Sequence, residues 1–259
     1  MKQSATFDIG QAVADFLAAA RTGVPYPQQW FDRLTLQQAA ALQLAVLDAR
    51  VAQGEVQVGW KVGLTAKAIQ QQFNVHEPVF GYLLDSGLIR SGATLRAEEL
   101  MGPGFENEIC IQLGRDLQGP GIEPQDVAAA IETLYPAMEL IETRGDLSAQ
   151  LAVAIADNVQ QRGFVLGDAV PYDGADLRQV RVQVTVDGER VAEGSGEAVL
   201  GNPLNSVAWL ANRLADHGRR LEAGQYLMAG SLTRQFSLCA GVRAVARFEP
   251  LGKVELVIT

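Results

Sequence analysis

A chain of 259 residues with 21 Lys and Arg against 30 Asp and Glu carries a formal charge of −9 at neutral pH. That sign opposes the counterion release that drives nucleic-acid binding, so no nucleic-acid partner is expected. Two His and two Cys, none at the spacings of a zinc site, leave a hard cation held by carboxylates as the metal such a chain would bind.

Surface scaling for this length leaves about 11,000 Å² exposed out of roughly 40,000 Å² in the unfolded chain, enough burial for a core without staples. Cys110 and Cys239, 129 positions apart, read as buried thiols of a reducing compartment. The opening Met1-Lys2-Gln3-Ser4 leads into no apolar signal core, and no apolar run reaches about 18 residues. A cytoplasmic protein without a membrane partner is expected.

Helical spacing of Ile9, Val13 and Phe16 predicts a helix from Asp8 to Ala20, closed by Gly23-Val24-Pro25. A second helix starts at Thr35 as N-cap and places Leu36, Ala40, Leu44, Leu47 and Val51 on one face before Gly54. The period then shifts to two, and Val56, Val58, Trp60, Val62 and Leu64 predict a strand with one apolar face. Further strands are predicted over 106–113, 137–142, 163–166, 180–186, 226–229, 243–248 and 254–258, with Asp187-Gly188 as a type I′ hairpin turn. Pro124 opens a helix over 125–134, and Asn202-Pro203 opens one over 204–216 that Gly218 stops. Hairpins mixed with scattered helices argue an α+β protein, with residues 1–55 as a helical layer and 56–259 as a strand-rich domain forming one compact unit with it.

The segment Phe105-Glu106-Asn107-Glu108-Ile109-Cys110-Ile111 holds the most chemical information. In a strand, Glu106 and Glu108 project from one face about 7 Å apart, either into solvent or under a cation. Glu139, inside the apolar Pro136-Ala137-Met138-Glu139-Leu140-Ile141, is costly to bury unpaired. Mg²⁺ or Mn²⁺ bound by three carboxylates would satisfy all of them. Lys61, between Gly59 and Gly63, either reaches solvent or faces a substrate anion. His217 precedes Gly218 and reads as a charge at a helix end. Ala229-Gly230-Ser231-Leu232-Thr233 offers two hydroxyls and a permissive Gly, or only a turn.

These residues carry a resemblance. Gly59-Trp60-Lys61-Val62-Gly63-Leu64-Thr65, Gln70-Gln71-Gln72-Phe73, Glu77-Pro78, Gly81, Glu106-Asn107-Glu108, Pro136-Ala137-Met138-Glu139, Asp157-Asn158, Gly163-Phe164-Val165-Leu166-Gly167, Leu200-Gly201-Asn202-Pro203 and Val207-Ala208-Trp209-Leu210-Ala211 follow one another in family order. The chain resembles, over roughly 10–258, the 2-keto-4-pentenoate hydratase and 4-oxalocrotonate decarboxylase family of the fumarylacetoacetate hydrolase superfamily. The resemblance implies a mixed β-roll with an N-terminal helical layer. It implies Glu106, Glu108 and Glu139 as ligands of Mg²⁺ or Mn²⁺, and Lys61 as the catalytic or substrate-orienting lysine. It also implies Ser231 and Thr233 as residues near the substrate carboxylate.

The implied activity is hydration of a 2-hydroxy-2,4-dienoate, such as 2-hydroxypenta-2,4-dienoate, to a 4-hydroxy-2-oxoacid in aromatic meta-cleavage catabolism. One alternative is a decarboxylase of 4-oxalocrotonate type, because Val79 stands where hydratases commonly carry Asp. Another is a non-catalytic subunit of a hydratase–decarboxylase complex, although the costly charge cluster argues against it. The run Asp157-Asn158-Val159-Gln160-Gln161 departs from the small residues usual after Asp-Asn, a change that reshapes the pocket expected from the resemblance. A homo-oligomer, alone or with a decarboxylase or hydratase partner, is the expected assembly.

Overall fold

The computed structural model describes residues 7–23 and 26–259. Val24 and Pro25 of the expected helix break, and Met1 to Ser4, lie outside the described residues. In chain order the elements are α1 (Ile9–Thr22), α2 (Leu36–Ala52), β1 (Gln57–Gly63), α3 (Lys67–Gln72), β2 (Val79–Leu84), β3 (Leu88–Arg90), β4 (Ala93–Leu95), β5 (Pro103–Leu113), α4 (Pro124–Ala130) and β6 (Ile131–Glu142). They continue as α5 (Leu151–Ala156), β7 (Gln161–Leu166), β8 (Val170–Pro171), β9 (Arg181–Val186), β10 (Glu189–Ser195), α6 (Pro203–Ala215), β11 (Tyr226–Ser231), β12 (Phe236–Ser237), β13 (Arg243–Glu249) and β14 (Gly252–Ile258). No described helix is long and apolar enough to cross a membrane.

The strands form two sheets. The larger runs β2-β1-β11-β5-β6-β7-β3, with β12 on β5 and β8 on β6; the smaller runs β10-β9-β13-β14-β4. At the end of the larger sheet, the Asn158 side chain accepts from the Tyr82 N–H at 2.8 Å and donates to its carbonyl at 3.0 Å. An amide just before β7 thus occupies the place of a strand beside β2, and the sheet curls into a roll. Mixed strands and helices make this the expected α+β architecture.

The two faces of the roll have different fates. Trp60, Val62, Phe105, Ile109, Ile111, Met138 and Leu140 join Val182, Val184, Ala246, Leu256 and residues of α6 in the main core. The alternate residues face inward, where Leu83, Cys110, Ala137, Phe164, Leu166 and Met228 form a smaller apolar plug. A third cluster links α1, α2 and α5.

Several expectations are corrected. In α2 the capping box of Thr35 and Gln38 is present, but Leu36 and Val51 are exposed. The helix is buried on two sides instead, with Leu44 and Leu47 against the roll and Ala39, Leu42 and Val46 against the helical cluster. In β1 a register irregularity at Gln57/Gly59 breaks the alternation, so Val58 packs toward the plug while Val56 is exposed. The helix predicted to Leu134 stops at Ala130, because β6 pairs with β5 from Ile131 onward. Cys239 is exposed, unlike the buried Cys110. His217 lies beyond the last helical residue of α6, edge-on to Phe80 at 5.8 Å, and burial lowers its pKa. The hairpin turn stands as predicted, with positive φ at Asp187 and Gly188.

Candidate active site

β5 and β6 pair antiparallel with Glu106 opposite Glu139 and Glu108 opposite Ala137. Directly paired residues share a face, so all three carboxylates point into the roll. Each offers an oxygen within 4.8 Å of the other two. Glu108 and Glu139 are fully buried, whereas Glu106 is half-buried, which puts the open end of the site at Glu106 and the apolar plug behind Glu108.

Lys61 enters from β1. It is 3% exposed, so its ammonium does not reach solvent. Its Nζ lies 3.1 Å from Glu139 Oε1 and donates to the Val159 carbonyl at 3.3 Å. The glycines beside it make room: a Cβ on Gly63 would meet Lys61 Nζ and Val79 Cγ2, each at 3.4 Å, and one on Gly81 would meet the Lys61 stem at 3.1 Å.

Glu108 Oε2 accepts the Gly230 N–H at 2.7 Å. Gly230 is required for this approach, because its φ is +120° and a Cβ would fall 2.6 Å from the Thr65 methyl group. Ser231, opposite Glu108 in the β11–β5 ladder, donates its hydroxyl to the Thr233 carbonyl at 2.9 Å. The Thr233 hydroxyl accepts from Asn107 Nδ2 and donates to the Arg234 carbonyl. Ser231 therefore lies on the same face of the sheet as the carboxylates, while Thr233 bonds Asn107, whose neighbours Glu106 and Glu108 face the other way.

Three carboxylates and one ammonium leave a formal charge of −2 in a buried space, which only a counter-charge or protonation relieves. Without a cation, burial first and the Glu139 charge second push Glu106 up to about 7, with Lys61 opposing. Burial, then Glu139 and Glu106, hold Glu108 well above the usual carboxylate range against the Gly230 N–H and Lys61. Glu108 Oε1 and both Glu139 oxygens have no hydrogen-bond partner, the Lys61 contact being an ion pair without hydrogen-bond geometry. Those unpaired oxygens fit a divalent cation.

A separate cavity of about 590 Å³ opens between α1, α2 and the 142–162 region. Glu106, Glu108 and Glu139 do not line it, and its Arg144 and Arg162 are spent on Glu142 and Asp157.

Residues 49–259 match the family model for the fumarylacetoacetate hydrolase C-terminal region. The chain belongs to the fumarylacetoacetate hydrolase family. Among the relatives of this family member, a 2-hydroxyhexa-2,4-dienoate hydratase of Comamonas testosteroni is 35% identical over 254 residues, 96% of each chain. A 2-hydroxypent-2,4-dienoate hydratase of Pseudomonas putida is 37% identical, covering 82% of this chain and 96% of its own. The 4-oxalocrotonate decarboxylase of Pseudomonas putida G7, solved with magnesium and adipate, superposes with a TM-score of 0.92 at 31% identity, over 98% of this chain and 99% of its own.

Among fumarylacetoacetate hydrolase features, the glutamates and Lys61 are brought together as the strand period and glycine pattern suggest. Asp157-Asn158 is one of the motifs that carry the resemblance, but no role for the Asn158 amide or the Val159 carbonyl follows from it, because a backbone carbonyl leaves no side-chain signal and a long-range amide contact has no local pattern.

Proposed function

We propose that this protein is a metal-dependent hydro-lyase that adds water to a short 2-hydroxy-2,4-dienoate, with Glu106, Glu108 and Glu139 as ligands of Mg²⁺ or Mn²⁺ and Lys61 as its proton-handling residue. The observation that carries the reading is the cluster of three inward carboxylates with oxygens within 4.8 Å and an ammonium 3.1 Å away. Hydratase names among relatives covering most of both chains support the substrate class.

A divalent cation held by Glu106, Glu108 and Glu139 would supply Lewis-acid stabilisation of the negative charge that develops on the substrate's C2 oxygen. The chain's own residues do the rest. Lys61 is held at the inner wall by Glu139 and Val159, where its ammonium hydrogen-bonds the C2 oxygen and exchanges protons with it. The C2 hydroxyl proton leaves, C5 gains a proton, and water adds its oxygen at C4 and a hydrogen at C3. The apolar plug behind Glu108 excludes bulk water from the inner end. Ser231, on the site face, orients the substrate carboxylate, and Thr233, whose own hydroxyl is spent on Asn107 and the Arg234 carbonyl, acts through its backbone carbonyl, which accepts from the Ser231 hydroxyl.

A decarboxylase of 4-oxalocrotonate type is the second reading, and Val79 favours it. An apolar methyl group, not a carboxylate, lies beside the Lys61 ammonium around Gly63, so that position cannot deprotonate water. In that reaction the C5–C6 bond breaks, CO₂ leaves, and the electron pair ends on the C2 oxygen. A homo-oligomer belongs to the same proposal, and exposed Val51 and Val56 supply apolar surface for it.

The test supplies purified protein and Mg²⁺ with 2-hydroxypenta-2,4-dienoate and, separately, 4-oxalocrotonate, following ultraviolet loss and CO₂. Loss of the dienoate to a 4-hydroxy-2-oxoacid is expected. CO₂ release from 4-oxalocrotonate with an untouched dienoate would replace the hydratase by the decarboxylase, and neither reaction would remove both.

A further inference from the structure

The segment between α5 and β7 is built in a way that the metal cluster does not require. Asn158, Val159 and Gln160 hold φ of 60°, 52° and 62°, a left-handed run that disfavours every L residue and a β-branched one most. Three such residues in succession persist only where the surroundings over-determine them. Arg144 Nη2 donates to the Asp157 carbonyl at 3.0 Å, and Gln160 Nε2 donates to the Gly145 carbonyl at 3.2 Å. Between these anchors the buried Asn158 amide takes both backbone groups of Tyr82.

What the turn delivers to the site is the Val159 carbonyl, which accepts from Lys61 Nζ at 3.3 Å. Tyr82 directly follows Gly81, and a Cβ on Gly81 would lie 2.8 Å from Asn158 Oδ1 and 3.1 Å from Lys61 Cε. The Asn158 amide and the lysine stem therefore share the space that a side chain at position 81 would fill. A lysine has a flexible four-carbon stem, and a single ion pair to Glu139 leaves its ammonium free to pivot.

We infer that Asn158 is a positioning residue: its amide clamps the left-handed turn onto β2, so that the Val159 carbonyl and Glu139 hold the Lys61 ammonium from two sides. The inference rests on the proton-handling role of Lys61 proposed above. A displaced ammonium costs turnover more than substrate capture, because the cation that the carboxylate cluster would hold, rather than Lys61, would supply most of the charge that holds the substrate anion.

The test compares Asn158→Leu with the wild type in kcat, KM, the Mg²⁺-induced rise in Tm, and the rate at which limiting acetic anhydride acylates Lys61 in metal-free protein, read by peptide mass spectrometry. The expected result is a kcat lowered about tenfold or more, KM within about threefold, an unchanged Mg²⁺ response and Lys61 acylated several times faster. Wild-type kcat with wild-type acylation overturns the inference. So does loss of the Mg²⁺ response together with kcat, which would place the effect on the cluster or the fold. If Asn158→Leu does not fold, the isosteric Asn158→Asp, which keeps the acceptor for the Tyr82 N–H and loses the donor to its carbonyl, gives the same comparison. Should the wild type consume neither substrate, the functional reading fails, and Lys61 acylation alone decides the positioning.

Discussion

Lys61 and the three glutamates form one electrostatic unit, and each is intelligible only through the others. The ammonium offsets one of three buried negative charges, and the remaining two match a divalent cation. Replacing Lys61 by Met keeps the stem and removes the charge. Its kcat is expected to fall by about 10²- to 10⁴-fold, the usual weight of a positioned acid or base, while the Mg²⁺-induced rise in Tm remains; steady-state kinetics beside thermal melts check this. The pH dependence has a definite sign. Glu106 is raised from 4.5 to about 7 in the metal-free fold, so its contribution to stability is complete below 4.5 and is lost as pH rises through about 7. A cation must displace that proton at low pH but not at high pH. The Mg²⁺-induced rise in Tm is therefore expected to be larger at pH 8 than at pH 5.5, with the difference reduced in Glu106→Gln.

The site depends on strand register at the scale of elements. Glu106 faces Glu139 because β5 and β6 pair through ten continuous positions from Pro103↔Glu142 to Gln112↔Thr133, and a slip of one residue would turn the carboxylates into the main core. β1 reaches the site through its parallel pairing with β11, in which Gly59 lies opposite Tyr226. A Cβ at position 59 would fall 1.9 Å from the Tyr226 carbonyl oxygen. Gly59→Ala is accordingly expected to give protein without a cooperative melt, read by circular dichroism, whereas Gly188→Ala in the outer hairpin still folds. The strand period was enough to align Glu106 with Glu108 on one face, and the isolated carboxylate of Glu139 pointed to the same cation. β2 was not legible, because Val79 to Leu84 is buried at every position and shows no alternation. The end of α4 was misplaced for the opposite reason: Ile131 to Leu134 continues an apolar helical pattern, and only pairing with β5 makes it a strand.

At the scale of the whole molecule, the roll closes through side-chain amides rather than a strand pair, Gln43 joining β2 to α5 beside Asn158. Asn158 bridges the β2 edge to the start of β7, a long-range contact that no local pattern announces, and the burial of Lys61 follows from that closure. The family resemblance anticipated the β-roll but not the device that shuts it. Because the metal-free site carries uncompensated charge, cation binding and global stability are linked. At a hundred times its dissociation constant Mg²⁺ adds about 2.7 kcal/mol, or roughly 5 °C in Tm for a chain of this size. Calorimetric melts with and without chelator should show that rise, and Glu139→Gln should abolish it. Light scattering should report a species larger than one chain if the proposed homo-oligomer forms. The central claim, that the inward carboxylates and Lys61 are a metal-dependent hydratase site, is tested most directly by the ultraviolet loss of 2-hydroxypenta-2,4-dienoate under wild-type protein, Glu106→Gln and Lys61→Met, each with Mg²⁺ and with chelator. Rapid loss only for the wild type with Mg²⁺ is the predicted result, and equal loss in chelator or undiminished loss in either variant would contradict it.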